Sequence, residues 1–520
     1  MVGEPPPLHG KIPAADFLCD FRLIFLVRIA NFLYLCIGFT NTTTLYKFMA
    51  IPSEILAVER PKSTVVKRRG ERFVVIKRTS RRVGKRSVPV DLGMVGEIVN
   101  GKFVERQPKA PKKQIDIKDY GEVTLCDKLG NPLLNELAEV WDLRDAKRLY
   151  VLALLRAAYG DVRNRDLQLH YETSFASEMY PGVHLSEQAV SAFLQQIGQA
   201  YSLQCEFMRN RAAMFAGKNI VIDGMLKDYN SEHGSMSVFS RKARTKGSKD
   251  LSLMYAFDPG SGEPIAARPY PGNMLDQTCV DSFVSDFKIE KGLMIFDKGF
   301  WNEDFLDNLD AKEGVSYLIP LKQNSAFIKT YGMDNPTQVL EGYTEGTIMF
   351  KKVKMKNGKY LYSFRDPKTA YEQEVGYVQL GQSKSSFDSQ KYEQKRSLFG
   401  LIVFKSKDDL DPLTVYLAYA MRWSIEILFN MYKNIMERDT VNVHSDYRVY
   451  ATELINFLSA VIRARVKNLL NSTKLNKKYS CKQIFKFLSK YKKVRTSKDG
   501  KWQTATMLKY IEEVTLTLGV

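Results

Sequence analysis

Four side chains in the C-terminal third have the types and the spacing for chemistry on a phosphodiester. They are Tyr419, Arg422, Glu426 and Lys433, at relative positions 0, +3, +7 and +14. In a helix that turns about 100° per residue, these positions fall within a stripe roughly 60° wide. Arg and Lys suit phosphate oxygens, and a carboxylate between them suits a divalent cation. The alternative is a surface helix with a Glu–Arg pair at four-residue spacing and a buried Tyr.

Two aspartates follow short apolar runs and are the natural partners of this glutamate. The sequence KNIVIDG predicts a strand that ends in Asp223, and GLMIFD predicts a second buried strand that ends in Asp297. Such strand ends can converge with Glu426 at one edge of a sheet. Three carboxylates can hold two Mg²⁺ ions, because hard cations prefer oxygen ligands. Two metals roughly 3.5–4 Å apart are a known arrangement for phosphodiester chemistry.

The elements around these residues alternate between strand and helix. LSLMYAFD and PIAARPY, joined by a Gly-rich turn, predict a hairpin, and residues 276–287 predict a helix. WNEDFLDNLDAK predicts another helix, and VSYLIPLK another strand. This order favours an α/β fold with a mixed sheet flanked by helices.

These motifs resemble a DDE transposase of the insertion-sequence-four type, with a ribonuclease-H-like core. Asp223 in VIDG and Asp297 in IFDKGF match the two aspartates of that family, and RPYPGNMLD between them resembles its P-G-N-x-x-D stretch. Glu426 matches its glutamate within a complete Y-x(2)-R-x(3)-E-x(6)-K pattern. The resemblance covers residues from about 215 to 470 and implies that Asp223, Asp297 and Glu426 are both the catalytic residues and the metal ligands.

The resemblance also implies cofactors and partners. It implies two Mg²⁺ ions, for which Mn²⁺ can substitute, and double-stranded DNA with terminal inverted repeats plus a target DNA. A homodimer assembled on DNA is expected, and no membrane partner. Tyr419, Arg422 and Lys433, with Lys298 beside Asp297, are expected to bind DNA. Some relatives stack a flipped base on a tryptophan in the insertion, but Trp141, Trp301, Trp423 and Trp502 all lie elsewhere. Either the chain does not use the hairpin route of those relatives, or another aromatic such as Tyr360 or Tyr362 makes that contact.

The charge of the chain points to a polyanionic partner. Its 520 residues include 77 Lys and Arg against 58 Asp and Glu, a net charge of +19. Such an excess favours nucleic acid or an anionic membrane surface, although solvated surfaces are often basic too. The basic residues concentrate in residues 60–86, in the tail 474–501 and in a loop. The loop residues, Arg241, Lys242, Arg244, Lys246 and Lys249, are either a DNA-tracking segment or a solvated loop.

The remaining inventory excludes several function classes. The six cysteines are widely spaced without C-x-x-C, which argues against a disulfide framework or a zinc knuckle and fits a reducing cytoplasm. Five histidines offer little material for histidine chemistry. The lack of a G-x-x-x-x-G-K-[ST] loop argues against a motor enzyme. A cytoplasmic, nucleoid-associated prokaryotic protein is the expected setting.

Composition changes along the chain predict six regions. The first 48 residues are translated upstream sequence, a membrane segment or an amphipathic helix, since the apolar run from Phe17 to Phe39 is interrupted by charges. The others are a basic β-rich module (49–115), a helical DNA-binding domain (116–215), the catalytic domain (216–325 and 410–470), a β-rich insertion (326–409) and a basic tail (471–520). Within the helical domain, LSEQAVSAFLQQIG resembles the second helix of a helix-turn-helix, or is an ordinary bundle helix.

Three functions are compatible with these patterns. The first is a transposase that cleaves and joins DNA at the ends of an insertion sequence. The second is a metal-dependent nuclease that uses the same triad without strand transfer. The third is a decayed transposase that only binds DNA.

Overall fold

The computed structural model describes residues 50–520 except 85, 107–114, 161, 233, 240–246, 275, 385, 423–442 and 498–499. Several predictions from the sequence therefore lie outside the described residues. These are the extension 1–48, the loop residues Arg241, Lys242, Arg244 and Lys246, Trp423, Glu426 and Lys433. The chain divides into two compact units, residues 1–113 and 114–520.

The first unit contains a four-stranded antiparallel sheet. Its elements are helix α1 (Ser53–Leu56) and strands β1 (Thr64–Arg69), β2 (Arg72–Val83), β3 (Arg86–Val99) and β4 (Lys102–Glu105). The strands pair in sequence order, each with the next. Val66, Val75 and Ile98 form a small buried core. The short apolar runs between basic residues thus form strands, because alternate side chains can be buried while their neighbours remain in water.

The second unit begins with a helical region that packs around a long helix from the C-terminal part, Asp446–Ser472. The region contains β5 (Asp116–Asp119) and helices α2 (Gly121–Gly130), α3 (Pro132–Ala138), α4 (Leu143–Tyr159), α5 (Leu167–Thr173), α6 (Ala176–Met179), α7 (Glu187–Gln199) and α8 (Tyr201–Met214). Ser186 caps α7, since its Oγ accepts a hydrogen bond from the Ala189 amide. Phe193, Leu194 and Ile197 of α7 are buried.

A mixed sheet forms the centre of the second unit. Its strands are β6 (Ile220–Asp228), β7 (Val238–Phe239), β8 (Lys249–Asp258), β9 (Glu263–Pro271), β10 (Gly292–Phe296), β11 (Val315–Pro320), β12 (Gln338–Val339), β13 (Met349–Lys354), β14 (Tyr360–Arg365) and β15 (Leu401–Ser406). The order is β12-β13-β14-β15-β11-β10-β6-β8-β7, and β9 also pairs with β8. Flanking helices are α9 (Asp276–Asp286), α10 (Glu303–Asp310), α11 (Ala326–Thr330), α12 (Pro367–Ser383), α13 (Ser389–Arg396) and α14 (Pro412–Ala420). The predicted mixed α/β fold with flanking helices is confirmed.

Strands β6, β10 and β11 are parallel to one another and carry the site. Their apolar runs are almost fully buried, as expected for strands covered on both faces. The antiparallel hairpin of β8 and β9 continues the sheet beyond β6. On the other side, β15 runs antiparallel to β11 and joins β14, β13 and β12 to the same sheet.

The segment predicted as a β-rich insertion contains three helices, α11, α12 and α13, as well as strands. Its run EVGYVQLG lies within α12, so the expectation of β structure is wrong for these residues. Asp366 caps α12 through a hydrogen bond from the Lys368 amide, and Pro367 occupies the first helical position. These strong start signals override the β propensity of the Val and Tyr residues that follow.

Helix α15 (Asp446–Ser472) connects the helical region to the sheet. It packs against α4 and α7 as well as against β9. A Cβ added at Gly198 of α7 would overlap the backbone of Tyr447, so the two helices approach closely there. The apolar face of α7 is therefore used in packing.

The C-terminal part contributes α16 (Cys481–Leu488), β16 (Lys492–Arg495), β17 (Gln503–Thr504) and α17 (Lys509–Leu518). Strand β16 pairs with β5, and Arg495 Nε lies 2.9 Å from Asp116 Oδ2. Part of the basic tail thus has acidic partners within the protein. Cys126, Cys205 and Cys481 have free thiols. Among the described helices, none combines the length and apolar character of a membrane span.

Candidate active site

Asp223 lies on the central strand β6. The strand was predicted to end at this residue, but it continues to Asp228, so that expectation is wrong. The continuation is stabilised by pairing with β8, in which Tyr255 lies opposite Asp223. Asp223 Oδ1 accepts a hydrogen bond of 2.8 Å from the Gly224 amide, and the side chain is 18% exposed. The carboxylate is thus oriented by backbone and still reachable from solvent.

Asp297 directly follows β10, as predicted. Phe296 pairs with Ile222 in the parallel register between β10 and β6, so the next position along each strand brings Asp297 beside Asp223. The Asp297 side chain is 34% exposed. Two carboxylates distant in sequence therefore share one point on the sheet because the strands that carry them are parallel neighbours.

The Arg422 guanidinium lies close to both carboxylates. Its Nη1 lies 3.7 Å from Asp223 Oδ2 and 3.9 Å from Asp297 Oδ1. Helix α14 ends at Ala420, so Arg422 lies in the turn after the helix, and its amide donates to the Tyr419 carbonyl at 2.9 Å. The expected helical stripe is described only from Tyr419 to Arg422. Its continuation to Glu426 and Lys433 lies outside the described residues.

The Tyr419 ring supports Arg422. The ring centroid lies 4.5 Å from that of Phe404, and the guanidinium carbon of Arg422 is 5.5 Å from the Tyr419 centroid. Tyr419 is partly buried at the end of α14, where it packs on strand β15. The aromatic ring therefore contributes packing and a cation–π contact that keep the guanidinium near the carboxylates.

A cavity of about 850 Å³ opens beside these residues. Asp297, Lys298, Tyr419 and Arg422 line one side of it, and Lys298 is exposed. The other side is formed by the segment between β14 and β15, and the lining there includes Phe364, Asp366, Thr369, Gln373 and Gly400. Sequence reasoning missed these residues, and the Asp-Pro start of α12 was the signal that could have located them.

Three other residues that were predicted to contact DNA do not lie beside the two aspartates. Lys249 begins β8, six residues from the partner of Asp223, about 20 Å along the strand. Its Nζ lies 5.8 Å from the Phe239 ring centroid. Tyr362 is fully buried, and its hydroxyl oxygen accepts a 2.6 Å hydrogen bond from the Leu410 amide. It cannot stack on a base without leaving the core, whereas Tyr360 is only partly buried.

The donor set suits a hard cation, although its third predicted member lies outside the described residues. Carboxylate oxygens are the preferred ligands of Mg²⁺, and Asp223 and Asp297 present theirs at one partly exposed point. Within the part of the chain that the structure describes, no group of three His, Cys, Asp or Glu side chains could hold a metal ion. The metal-ligand and catalytic roles of Asp223, Asp297 and Glu426 stay predictions.

Comparison with known proteins gives an independent view of this region. Residues 227–462 match the family model described as the transposase DDE domain. This match supports a DDE transposase, which is an enzyme acting on DNA. The matched segment includes Asp297 and Arg422 and begins four residues after Asp223.

Beyond this family match, the chain has a weak likeness to a solved structure. A piggyBac transposase in a synaptic complex with hairpin DNA is similar over 72% of this chain and 82% of its own. The identity is 13% and the TM-score 0.37, values too low to carry weight for function. No curated protein matches the chain.

Proposed function

We propose that this protein is a transposase of the insertion-sequence-four type that cleaves and joins DNA at the ends of its element. One observation carries the proposal. Asp223 and Asp297, at adjacent positions of parallel strands, both lie within 4 Å of the Arg422 guanidinium, and Asp297 and Arg422 line a large cavity. The transposase DDE domain match, which covers two of these three residues, supports it.

The core of the sheet supports a ribonuclease-H-like catalytic domain. The strand order β9-β8-β6-β10-β11 joins three antiparallel strands to two that run parallel to β6. The two carboxylates lie on β6 and at the end of β10, at the centre of this order. This is where a substrate strand can approach both groups at once.

Asp223, Asp297 and Glu426 are the residues that would hold Mg²⁺. Their carboxylates fit a hard cation, and the partial exposure of the two described aspartates leaves room for one to enter. When bound, two such ions supply activation of a water or 3′-hydroxyl oxygen and stabilisation of the leaving oxygen.

The basic side chains of the site would position DNA. The Arg422 guanidinium can bind a phosphate bidentately from its position between the carboxylates. Lys298, exposed on the rim of the cavity, can contact the backbone on one side. Lys433 is proposed to do so from the segment after Arg422. Tyr419 holds the Arg422 side chain by packing beneath it.

Cleavage of the DNA that flanks the reading frame tests the proposal. The substrate is a duplex with the imperfect inverted repeats that bracket the gene, incubated with the full chain and Mg²⁺. Asp297→Asn and Glu426→Gln should each reduce cleavage roughly 10³-fold, since a lost ligand removes several kcal/mol of transition-state stabilisation. Asp304→Asn, an exposed carboxylate on α10, is the matched control and should cleave normally. Normal cleavage by Glu426→Gln would exclude the assigned triad.

Pre-cut ends separate a transposase from a nuclease. A duplex that already carries a free 3′-hydroxyl at the repeat terminus needs no cleavage before joining. We expect the protein to join it to a target plasmid and Asp297→Asn to fail. Cleavage of intact ends without any joining of pre-cut ends would identify a nuclease. Binding to the ends without cleavage, by a folded protein, would identify a DNA-binding protein only.

A further inference from the structure

The β2–β3 hairpin of the first unit extends beyond the sheet that anchors it. Strand β1 pairs with β2 only as far as Lys77, and β4 pairs with β3 only from Gly96 onward. From Arg78 opposite Asp91 to Val83 opposite Arg86, β2 and β3 pair with each other alone. We call residues 78–91 the β-ribbon. Its six paired positions span about 20 Å at the usual rise per residue.

Two features fix the base and the tip of the β-ribbon. Register shifts at Val75/Ile76 and Lys77/Arg78 lie at its base, where β-bulges bend a hairpin and increase its twist. At the tip, Gly84 has φ +62°, as a two-residue hairpin turn requires. The β-ribbon is thus a two-stranded arm with irregular pairing at its base and a left-handed glycine beside its tip.

The charge of the β-ribbon is concentrated toward its tip. It contains five basic residues and one acidic residue, Asp91. Asp91 lies at the base and accepts hydrogen bonds from Lys67 at 2.6 Å and Arg78 at 2.8 Å. Across the described residues, no carboxylate pairs with Arg81, Arg82 or Arg86, and all three are exposed. The tip therefore presents several unneutralised cations within a narrow structure.

The two faces of the β-ribbon differ in character. Arg81 lies opposite Val88 and Val83 opposite Arg86, so these four side chains share one face, which we call the Arg/Val face. Val83 is 61% exposed and Val88 44%. The other face carries Arg82 opposite Ser87 and Ser80 opposite Pro89. The Arg/Val face thus combines cations with exposed apolar groups, both of which a partner that covers this face can contact.

We infer that the β-ribbon enters the major groove of duplex DNA and that its Arg/Val face reads base edges. The major groove, about 12 Å wide, admits a two-stranded ribbon, whereas the minor groove at about 6 Å is too narrow for two strands with their side chains. Arg81 and Arg86 can donate bidentately to guanine O6 and N7, and the valines can contact thymine methyl groups. Arg82, on the opposite face, is left to contact phosphates. The inference rests on the proposed function for its partner, duplex DNA.

Selection from a randomised duplex library tests this inference with the full chain in EDTA, so that no cleavage is needed. Affinities for the enriched duplex and for a shuffled duplex are then measured by fluorescence anisotropy. Arg81→Ala should weaken binding to the enriched duplex roughly 5- to 100-fold and binding to the shuffled duplex much less. Arg82→Ala removes the same charge from the other face and is the matched control. It should weaken both duplexes by a similar factor and reduce the salt slope by about one.

Chemical interference identifies the groove. Methylation of guanine N7 in the enriched duplex should abolish the preference over the shuffled duplex, and methylation of adenine N3 should not. Interference at adenine N3 alone would overturn major-groove entry. Failure to enrich any sequence, or equal losses for Arg81→Ala and Arg82→Ala on both duplexes, would overturn base reading. Unchanged affinity in the triple variant R81A/R82A/R86A would overturn the DNA contact altogether.

These outcomes are independent of those for the proposed function. A protein that binds selectively through Arg81 but never cleaves the flanking repeats would refute the transposase proposal and keep the β-ribbon inference. A protein that cleaves those repeats through Asp297, and whose β-ribbon variants bind DNA as tightly as the parent, would support the transposase proposal and refute the β-ribbon inference.

Discussion

Two sets of basic side chains, one in each unit of this chain, have opposite surroundings. In the β-ribbon, Arg81, Arg82 and Arg86 are exposed and no described carboxylate pairs with them. In the second unit, Lys227 and Arg211 are almost fully buried, and each has an acidic partner. The basic residues behind the net charge of +19 therefore include some that a polyanion can contact and others that already pair with acidic residues inside the protein.

The buried pairs occur where the sheet meets the helices. Lys227 Nζ of β6 lies 2.7 Å from Glu453 Oε1 of α15, and Asn456 extends this contact toward Arg156 of α4. Arg211 and Arg465 both bind Glu263 at the start of β9. These interactions connect elements far apart in sequence. The comparison teaches that exposure and partners, rather than composition, decide which basic residues can meet DNA.

The largest effect on stability is expected at Lys227. Lys227→Met leaves the Glu453 carboxylate buried without its cation, because the side chains are only 1% and 2% exposed. Removing one member of a buried pair typically costs about 3–5 kcal/mol. Urea unfolding should show that loss, and the double variant K227M/E453M should recover much of it. Arg81→Met in the β-ribbon is the contrasting control and should leave the unfolding midpoint unchanged. If Lys227→Met and Arg81→Met had equal unfolding midpoints, buried and exposed basic residues would not differ in their contribution to stability.

The sequence predicted local elements better than their relationships. Apolar runs located β6, β8, β9, β10 and β11, because burial in a covered sheet leaves a clear pattern. It did not show that β6 continues past Asp223, since that depends on pairing with β8. Nor did it show the helical character of residues 367–383, where capping decided against β propensity.

The site was predictable in part for the same reason. Asp223 and Asp297 were found from strands that precede them, and a parallel register then brings them together. The contact of Arg422 with both carboxylates could not be predicted from helical spacing, because it depends on how the end of α14 packs against β6 and β10. The cavity wall formed by residues 364–400 depends on tertiary packing.

A second prediction concerns the largely buried carboxylate of Glu122. Burial, and then the charge of Asp119, raise the pKa of Glu122 to about 7, and the charges of Arg463, Lys492 and Lys490 offset this only in part. The folded protein therefore favours the protonated form. This contribution to stability is fully present below the ordinary pKa of 4.5 and is lost as the pH rises through 7. Glu122→Gln should thus stabilise the protein at pH 8, by an amount on the order of 2–3 kcal/mol, and have little effect at pH 4. Urea unfolding at the two pH values measures the difference, and an equal effect at both would contradict the prediction.

Glu263 provides the opposite case among the largely buried carboxylates. Burial alone would raise its pKa, but the hydrogen bonds and charges of Arg465 and Arg211 hold the pKa below its ordinary value of 4.5. Its contribution is present above pH 4.5 and is lost as the pH falls through the lower folded pKa. Glu263→Gln should therefore flatten the decline of stability in acid, which urea unfolding between neutral and acidic pH measures. Glu290→Gln, a surface carboxylate, is the control and should leave the acid decline unchanged. An acid profile unaffected by Glu263→Gln would mean that the two arginines do not stabilise the ionised form.

The smallest expected effect lies at the base of the β-ribbon. Hydrogen bonds from Arg78 and then Lys67 lower the pKa of Asp91 to about 2. The stabilising contribution of this exposed carboxylate is present above its ordinary pKa of 3.8 and is lost as the pH falls toward 2. At pH 7, Asp91→Asn should speed amide hydrogen exchange in residues 78–91 without changing the global unfolding midpoint, because only the pairing at the base is weakened. Ser87→Ala, also in the β-ribbon, should leave exchange unchanged. If Asp91→Asn instead lowered the global midpoint as Lys227→Met does, ion pairs at the exposed arm and in the buried core would contribute alike, and exposure would no longer separate the two sets of basic residues.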